Sequence, residues 1–362
     1  MLNKNTKSTK LYGIQYLRGI AAVLVVLAHT TGMARMQKYF NYNILSGFFD
    51  LGDVGVELFF VISGFIITYV TLEDSSIKPK IDVKTFFIRR FTRIIPFMWV
   101  CIIVFAITRL FVRDYFPWPA YLRALTLYPL QNVEPKQIWT LRHEFLFYTI
   151  FSFCVLRLRT KKAILILWFL SPVFWKEIKL FLLTSNESLI ELGDFVFSRY
   201  NILFGIGWVL GFLFKKNSFK FKIILPNSYL INIIAIIPLL LILQFMRKET
   251  DLSMLSQEVI IGIISAGIVV LSVSLVSEKY SRVGNILGDA SYSIYLIHGI
   301  PIAAILGWWS NIQPSANPIL VLIVITFISC AIGIAVHYWI EKPLVNYVQR
   351  KMYKYEYKIT HV

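Results

Sequence analysis

Arg18 and His29 lie eleven residues apart inside one apolar segment, YLRGIAAVLVVLAHTTG. Eleven residues of α-helix advance about 16 Å and turn about 1100°, so the two side chains share a face at two depths. A charge within a membrane span costs roughly 2.5–3.5 kcal/mol even on the lenient insertion scale, which makes such residues candidates for chemistry or for holding a charged ligand. Imidazole titrates near neutrality and suits proton transfer. Guanidinium is always charged and carries a planar fork of donors that fits phosphate or carboxylate. A hydrogen-bonded core histidine is the plain alternative for His29. The same-face Arg18 and carboxylates at similar depth make a functional role its equal.

Depth along each apolar segment sorts the other polar residues into two levels. His29, Glu57, Glu144 and His298 fall in one layer; their mutual contact depends on helix rotation, which spacing does not supply. Glu57, near a segment end, is expected to be solvated. Glu144 and Tyr148 in IWTLRHEFLFY are i, i+4 and share a face, whereas the adjacent Arg142 and His143 must point elsewhere and read as structural. Ser291, Tyr295 and His298 in GDASYSIYLIHG can form one stripe that suits a sugar or a pantetheine arm, with interhelical hydrogen bonding an equal alternative. The second level is basic. KTFFIRRFTRIIP carries Lys84, Arg89, Arg90 and Arg93, with Arg89 and Arg93 at i, i+4. Arg forks bind phosphate bidentately, so this cluster could hold a phosphorylated ligand. Ordinary membrane anchoring is the alternative, and Arg18 at the same level argues against it. His337, followed by Glu341-Lys342-Pro343, reads as a helix end.

These residues must be positioned by membrane helices. The chain is 57% hydrophobic with a mean hydropathy of +0.65, far above a soluble domain. A span needs about 20 apolar residues. About ten candidates follow, near 14–33, 54–72, 94–112, 139–156, 163–181, 199–214, 229–246, 258–277, 286–307 and 318–340. The fold expected is an all-α polytopic bundle, one domain over 1–362 with short tails at about 1–12 and 342–362. A net charge of +17 suggests nucleic acid in a soluble protein. Here it fits orientation instead: with both termini cytoplasmic, 24 of the 37 Lys and Arg fall on that side. The tail KMYKYEYK alternates cations with Tyr, as a segment on anionic headgroups would. Arg18 and His29 also interrupt the apolar run that a cleaved signal peptide would need. Cys101, Cys154 and Cys330 fall within spans as small core residues, without disulfide or metal spacing. The absence of Walker, HExxH, CxxC and GxSxG motifs argues against ATP-driven transport and the common zinc hydrolases, and no metal is expected.

Taken in order, these segments resemble the acyltransferase-3 family of integral-membrane enzymes that modify bacterial surface glycans. Arg18 and His29 match its Arg-x10-His signature, and DVGVELFFVISGFII its second-span pattern. Arg90 and Arg93 match its Arg-x-x-Arg element; IWTLRHEFLFY and GDASYSIYLIH match its Trp-x-Leu-x-x-Glu and Ser-Tyr-x-x-Tyr-x-x-His elements. The resemblance covers nearly the whole chain and is to stand-alone members without a fused SGNH domain. It implies transfer of an acyl group, usually acetyl, from cytosolic acyl-CoA to a hydroxyl of an extracytoplasmic or lipid-linked glycan, at the bacterial inner membrane. Arg18, Arg89, Arg90 and Arg93 would then hold the phosphates of CoA. His29 would act as general base, with Glu144 as its orienting acid and Tyr148, Ser291, Tyr295 and His298 in support. An acyl-histidine intermediate is the competing mechanism. Acceptor choice would fall to external segments 34–53, 113–138 and 182–198, where Phe116, Trp118 and Tyr121 are either sugar-stacking faces or, more simply, interface aromatics. A glycan or lipid transporter is the alternative function; it would show no dependence on CoA and would usually need broken helices.

Overall fold

The computed structural model describes residues 11–73, 78–112, 114–157, 162–181, 187–216, 223–225, 253–277 and 281–359, with isolated positions between 230 and 242. The seventh expected span, 229–246, therefore lies outside the described residues apart from those positions. The elements in chain order are α1 (Tyr12–Ala34), a 3-10 segment (Ile44–Asp53), α2 (Val54–Thr71), α3 (Val83–Val112) and α4 (Trp118–Thr126). Next come α5 (Ile138–Phe151), prolonged by a π-helical turn (Ser152–Arg157), then α6 (Lys162–Phe181), α7 (Glu187–Val196) and α8 (Tyr200–Lys215). They are followed by β1 (Ile223–Leu225), α9 (Met254–Ser274), β2 (Leu275–Ser277), α10 (Arg282–Ile297) and α11 (Gly299–Ile312). The last are α12 (Pro318–Val336), a second π turn (His337–Glu341) and α13 (Lys342–Ile359). The two short strands pair in parallel, Ile223 opposite Leu275; all other regular structure among the described residues is helical.

The protein is a multi-pass membrane bundle. Six helices among the described residues are long and apolar enough to cross a bilayer, seven if the bent pair α10–α11 is one span. Large apolar side chains remain exposed along α3 (Ile107, Phe111), α6 (Leu167, Phe174) and α12 (Ile323, Phe327), as lipid-facing helix surfaces require. Inside, aromatic rings from four helices pack together: Phe147 stacks on Phe204 at 4.4 Å, Phe60 lies tilted 4.8 Å from Phe204, and Phe169 lies tilted 5.9 Å from Trp208.

Lipid offers no hydrophobic drive between helices, so close packing at small residues carries the association. Two parallel pairs form the centre on this basis. α2 lies on α8 where a Cβ at Gly207 would stand 2.0 Å from the Val61 carbonyl oxygen, and one at Gly64 2.3 Å from that of Phe204. α1 lies on α10 in the same way, Gly288 meeting the Gln15 carbonyl at 2.1 Å. Arg18 and His29 are thus carried on a helix held rigidly against the polar stripe of α10.

Two expectations about helix ends are corrected. The ninth expected span is not straight: α10 and α11 meet at 65° around His298. Pro301 has no N–H to give to the Ile297 carbonyl, so the ladder breaks there. The tenth does not stop at Pro343. The π turn at His337–Glu341 widens the ladder just before this proline, and the helix continues as α13.

Candidate active site

Two cavities lie end to end between α1, α2, α3, α5 and α10. The first, a basic chamber of about 110 Å³, is lined by Arg18, Ser63, Arg90, Arg93, Glu144 and Tyr148, closed by Ser291, Tyr292 and Tyr295 and by apolar side chains of α2. Arg90 and Arg93 are i, i+3 neighbours at the start of α3 and both reach it. Arg89, one residue earlier, turns away and is exposed. The expected Arg89–Arg93 face is therefore replaced by Arg90–Arg93, because helix rotation rather than spacing decides which side meets the cavity.

The Arg90 guanidinium stands 5.4 Å from the centre of the Tyr148 ring and 5.7 Å from that of Phe86, within cation–π range. Tyr148 donates its hydroxyl to Glu144 Oε1, which also accepts from Ser63 Oγ at 3.1 Å. Arg18 Nη1 donates to Gln15 Oε1 at 3.3 Å and interacts electrostatically with Arg93, Glu144 and Glu341. Three guanidinium groups thus face one carboxylate across the chamber.

The second cavity, a histidine chamber of about 510 Å³, is lined by His29, Glu57, Trp139, Arg199, Tyr200, Tyr295 and His298 with residues 134–137. The His29 and His298 rings meet edge to face, centroids 4.7 Å apart. Each has a backbone carbonyl at Nδ1: Val25 O at 2.9 Å from His29 and Tyr295 O at 2.7 Å from His298. A carbonyl oxygen only accepts, so Nδ1 carries the proton in each neutral ring and Nε2 keeps its lone pair. His29 is exposed to the chamber, while His298, at the helix break, is buried. Glu57 was expected in solvent but is 7% exposed; α2 turns it inward toward this chamber. Beside it Arg199 pairs with Glu258, Nε to Oε1 at 2.9 Å, and donates to the Tyr200 hydroxyl at 3.1 Å.

The pairing of Glu144 with His29 that the resemblance implies is not formed. Glu144 lines only the basic chamber and its Oε1 is engaged by Ser63 and Tyr148, while His29 lines only the other. Val56 and Tyr295 stand at both. The Ser291–Tyr295–His298 stripe consequently runs through both chambers. Ser291 sits at the basic one, its hydroxyl donating to the Gly288 carbonyl at 2.8 Å, and His298 sits at the other.

Arg142 and His143 behave as structural residues: Arg142 donates to the carbonyls of Gln131, at 2.9 Å, and Pro129, and His143 packs between Trp139, Phe195 and Tyr200. Sequence reasoning passed over Thr140, whose hydroxyl is 2.9 Å from that of Tyr295. Its i, i+4 relation to Glu144 was the available signal. It also passed over the buried trio in which Glu341 Oε2 accepts from His337 Nδ1 at 2.7 Å and from Ser293 Oγ at 2.5 Å; His337 and Glu341 are more than a helix boundary. Among the described residues no group of His, Cys, Asp or Glu could hold a metal ion.

A family model described as an acyltransferase domain, Acyl_transf_3, matches residues 11–338, and the chain belongs to this family of membrane acyltransferases. The chain is 26% identical over 309 residues to an exopolysaccharide production protein, ExoZ, of Rhizobium meliloti, covering 82% of this chain and 91% of that one. It is 27% identical over 327 residues to the O-acetyltransferase OatA of Staphylococcus aureus, 82% of this chain and 51% of that one. Over 112 residues it is 31% identical to the peptidoglycan O-acetyltransferase OatA of Listeria monocytogenes, 30% of this chain and 16% of that one. The chain thus spans about half the length or less of the two OatA relatives. No solved structure matches it.

Proposed function

We propose that this protein transfers an acetyl group from acetyl-CoA, bound at the basic chamber, to a hydroxyl of a surface or lipid-linked glycan in the histidine chamber. The observation that carries this reading is the end-to-end arrangement of the two chambers, one basic and one holding a chamber-facing histidine with an Nε2 lone pair. The similarity to an O-acetyltransferase and to an exopolysaccharide production protein supports a surface glycan as acceptor. The basic chamber faces the cytosol of a bacterial inner membrane and both termini lie on that side, which the distribution of Lys and Arg supports.

In this mechanism Arg18, Arg90 and Arg93 hold the phosphates of CoA, whose charge balances guanidinium groups that Glu144 alone leaves in excess. Glu144 acts on the donor side, keeping Tyr148 against Arg90. His29 Nε2 takes the proton of the acceptor hydroxyl as its oxygen attacks the thioester carbon. The Val25 carbonyl at Nδ1 steadies the imidazolium, the part an acid plays in a triad. The C–S bond then breaks, the ester C–O bond is complete, and the thiolate leaves to be protonated as free CoA.

The test is transfer of labelled acetyl from acetyl-CoA to glycan in membranes carrying the full chain. Wild type transfers label; Arg90→Ala binds acetyl-CoA roughly 30-fold more weakly; His29→Ala binds acetyl-CoA and does not transfer. Wild-type transfer by His29→Ala would overturn the base assignment. The break at His298 favours a second reading, since transporters use discontinuous helices at their binding sites. Glycan translocation that proceeds without any acyl-CoA would select it.

A further inference from the structure

Val56 and Tyr295 line both chambers, and each is 8% exposed. We infer that these two side chains form a neck that selects the acyl group, passing a short uncharged acyl and refusing longer or charged ones. The inference rests on the acyl-transfer reading above and deepens it by naming the side chains that select the acyl group.

The neck is rigid on both sides. The Tyr295 hydroxyl is 2.9 Å from the Thr140 hydroxyl and donates to the Gln137 carbonyl at 3.2 Å. Gln137 Nε2 in turn donates to the Leu296 carbonyl at 2.6 Å, tying the first turn of α5 to the last turn of α10. The Tyr295 ring is backed by Phe59, centroids 6.1 Å apart, and its own carbonyl is held by His298 Nδ1 at 2.7 Å. Val56, which lines the same two chambers, is β-branched and has one strongly preferred rotamer in a helix. It cannot retreat with its backbone, because α2 already presses on α1: a Cβ at the adjacent Gly55 would stand 2.4 Å from the Ala21 carbonyl oxygen. Close-packed walls of this kind do not stretch to admit a larger group.

The same walls disfavour charge. The guanidinium groups of Arg18, Arg90 and Arg93 belong to the basic chamber alone. Cations stand on either side of the neck, these three in one chamber and Lys136 and Arg199 in the other, but Val56, Phe59 and the Tyr295 ring carry no charge, so a succinyl carboxylate would have to leave its partners and its water to pass between them. An acetyl group carries no such cost. Its transfer through the neck breaks the thioester C–S bond, forms a C–O bond to the acceptor, and passes the hydroxyl proton to His29 while CoA leaves as thiolate.

The inference is tested with membranes carrying the full chain and labelled acetyl-, butyryl- and succinyl-CoA, counting label in glycan. One added methylene in a tight apolar site is worth roughly 10- to 200-fold, so wild type should favour acetyl over butyryl by about tenfold or more and transfer no succinyl above background. Val56→Ala should raise the butyryl-to-acetyl ratio by about tenfold. Tyr295→Leu, which widens the other wall, should raise the same ratio. Equal use of acetyl and butyryl by wild type, or an unchanged ratio in both variants, would overturn the neck. If wild type transferred no label from any acyl-CoA, the acyl-transfer reading itself would fall.

Discussion

The two chambers differ in how they are built. The basic chamber, about 110 Å³, is built largely from pairs of helix neighbours, Arg90 and Arg93 three apart on α3 and Glu144 and Tyr148 four apart on α5, with Arg18 added from α1. The histidine chamber, about 510 Å³, gathers residues remote in sequence, with His29 from α1 against His298 from a helix break near the far end of the chain. The first is a tight, charged cradle in which Ser63 and Tyr148 hold Glu144 and three guanidinium groups face it. The second is roomier, and backbone carbonyls choose the tautomer of its two histidines. A fixed cofactor-like donor suits the first; a larger and more variable acceptor suits the second.

This contrast can be broken by substitution. The largest effect is expected from His29→Ala, which should lower transfer by about 10²–10⁴ with acetyl-CoA affinity unchanged in a binding titration. Loss of affinity in that variant would mean the chambers are one site. Arg90→Ala should weaken acetyl-CoA by about 2 kcal/mol, roughly 30-fold, the low end for a charge partnered to phosphate because Arg90 is only part-buried. Arg89→Ala, exposed and outside the chamber, should stay within about twofold, in keeping with the small worth of surface charges. Equal losses from the two would erase the distinction between faces of α3.

Smaller effects test the frame that holds the chambers in register. Gly207→Ala drives a Cβ to 2.0 Å from the Val61 carbonyl oxygen. Backbone cannot yield as a side chain does, so a loss of about 1–3 kcal/mol and a lower melting temperature are expected. Smallest is Asp82, the N-cap of α3, whose carboxyl is held below its ordinary range chiefly by the Thr85 hydroxyl and also by backbone N–H groups. A depressed carboxyl stabilises the fold above its unfolded pKa, and that contribution is lost as pH falls through the folded value. Asp82→Ala should cost about 1 kcal/mol at neutral pH, with the difference from wild type vanishing in acid.

Much of this site was legible in the chain itself. The spacing of Arg18 and His29 announced two depths on one face, and they line different chambers. Repulsion of charge by lipid made those residues conspicuous, along with Glu144 and His298. Rotation was not legible. Arg89 and Arg90 differ by one residue; i, i+4 spacing pointed to Arg89 with Arg93 and the family resemblance to Arg90 with Arg93, and the seating of α3 against the bundle turned Arg90 inward. Glu57 and Glu144 illustrate the same limit, since depth put both level with His29 but packing sent Glu144 to the arginines and drew Glu57 out of solvent. The bend at His298 was signalled by Pro301, although its 65° needed the neighbouring helices.

What the sequence determined by itself was solvent and periodicity: a membrane bundle, two polar levels, and the residues too costly to keep in lipid without a purpose. These follow from transfer energies and helix rise, which are local quantities. The tertiary structure alone decided that the levels are separate chambers, that backbone carbonyls rather than Glu144 orient the histidines, and that Val56 and Tyr295 stand between. Those depend on the rotation and crossing of helices, set by glycine contacts such as Gly207 on Val61 and Gly288 on Gln15, which no single segment encodes.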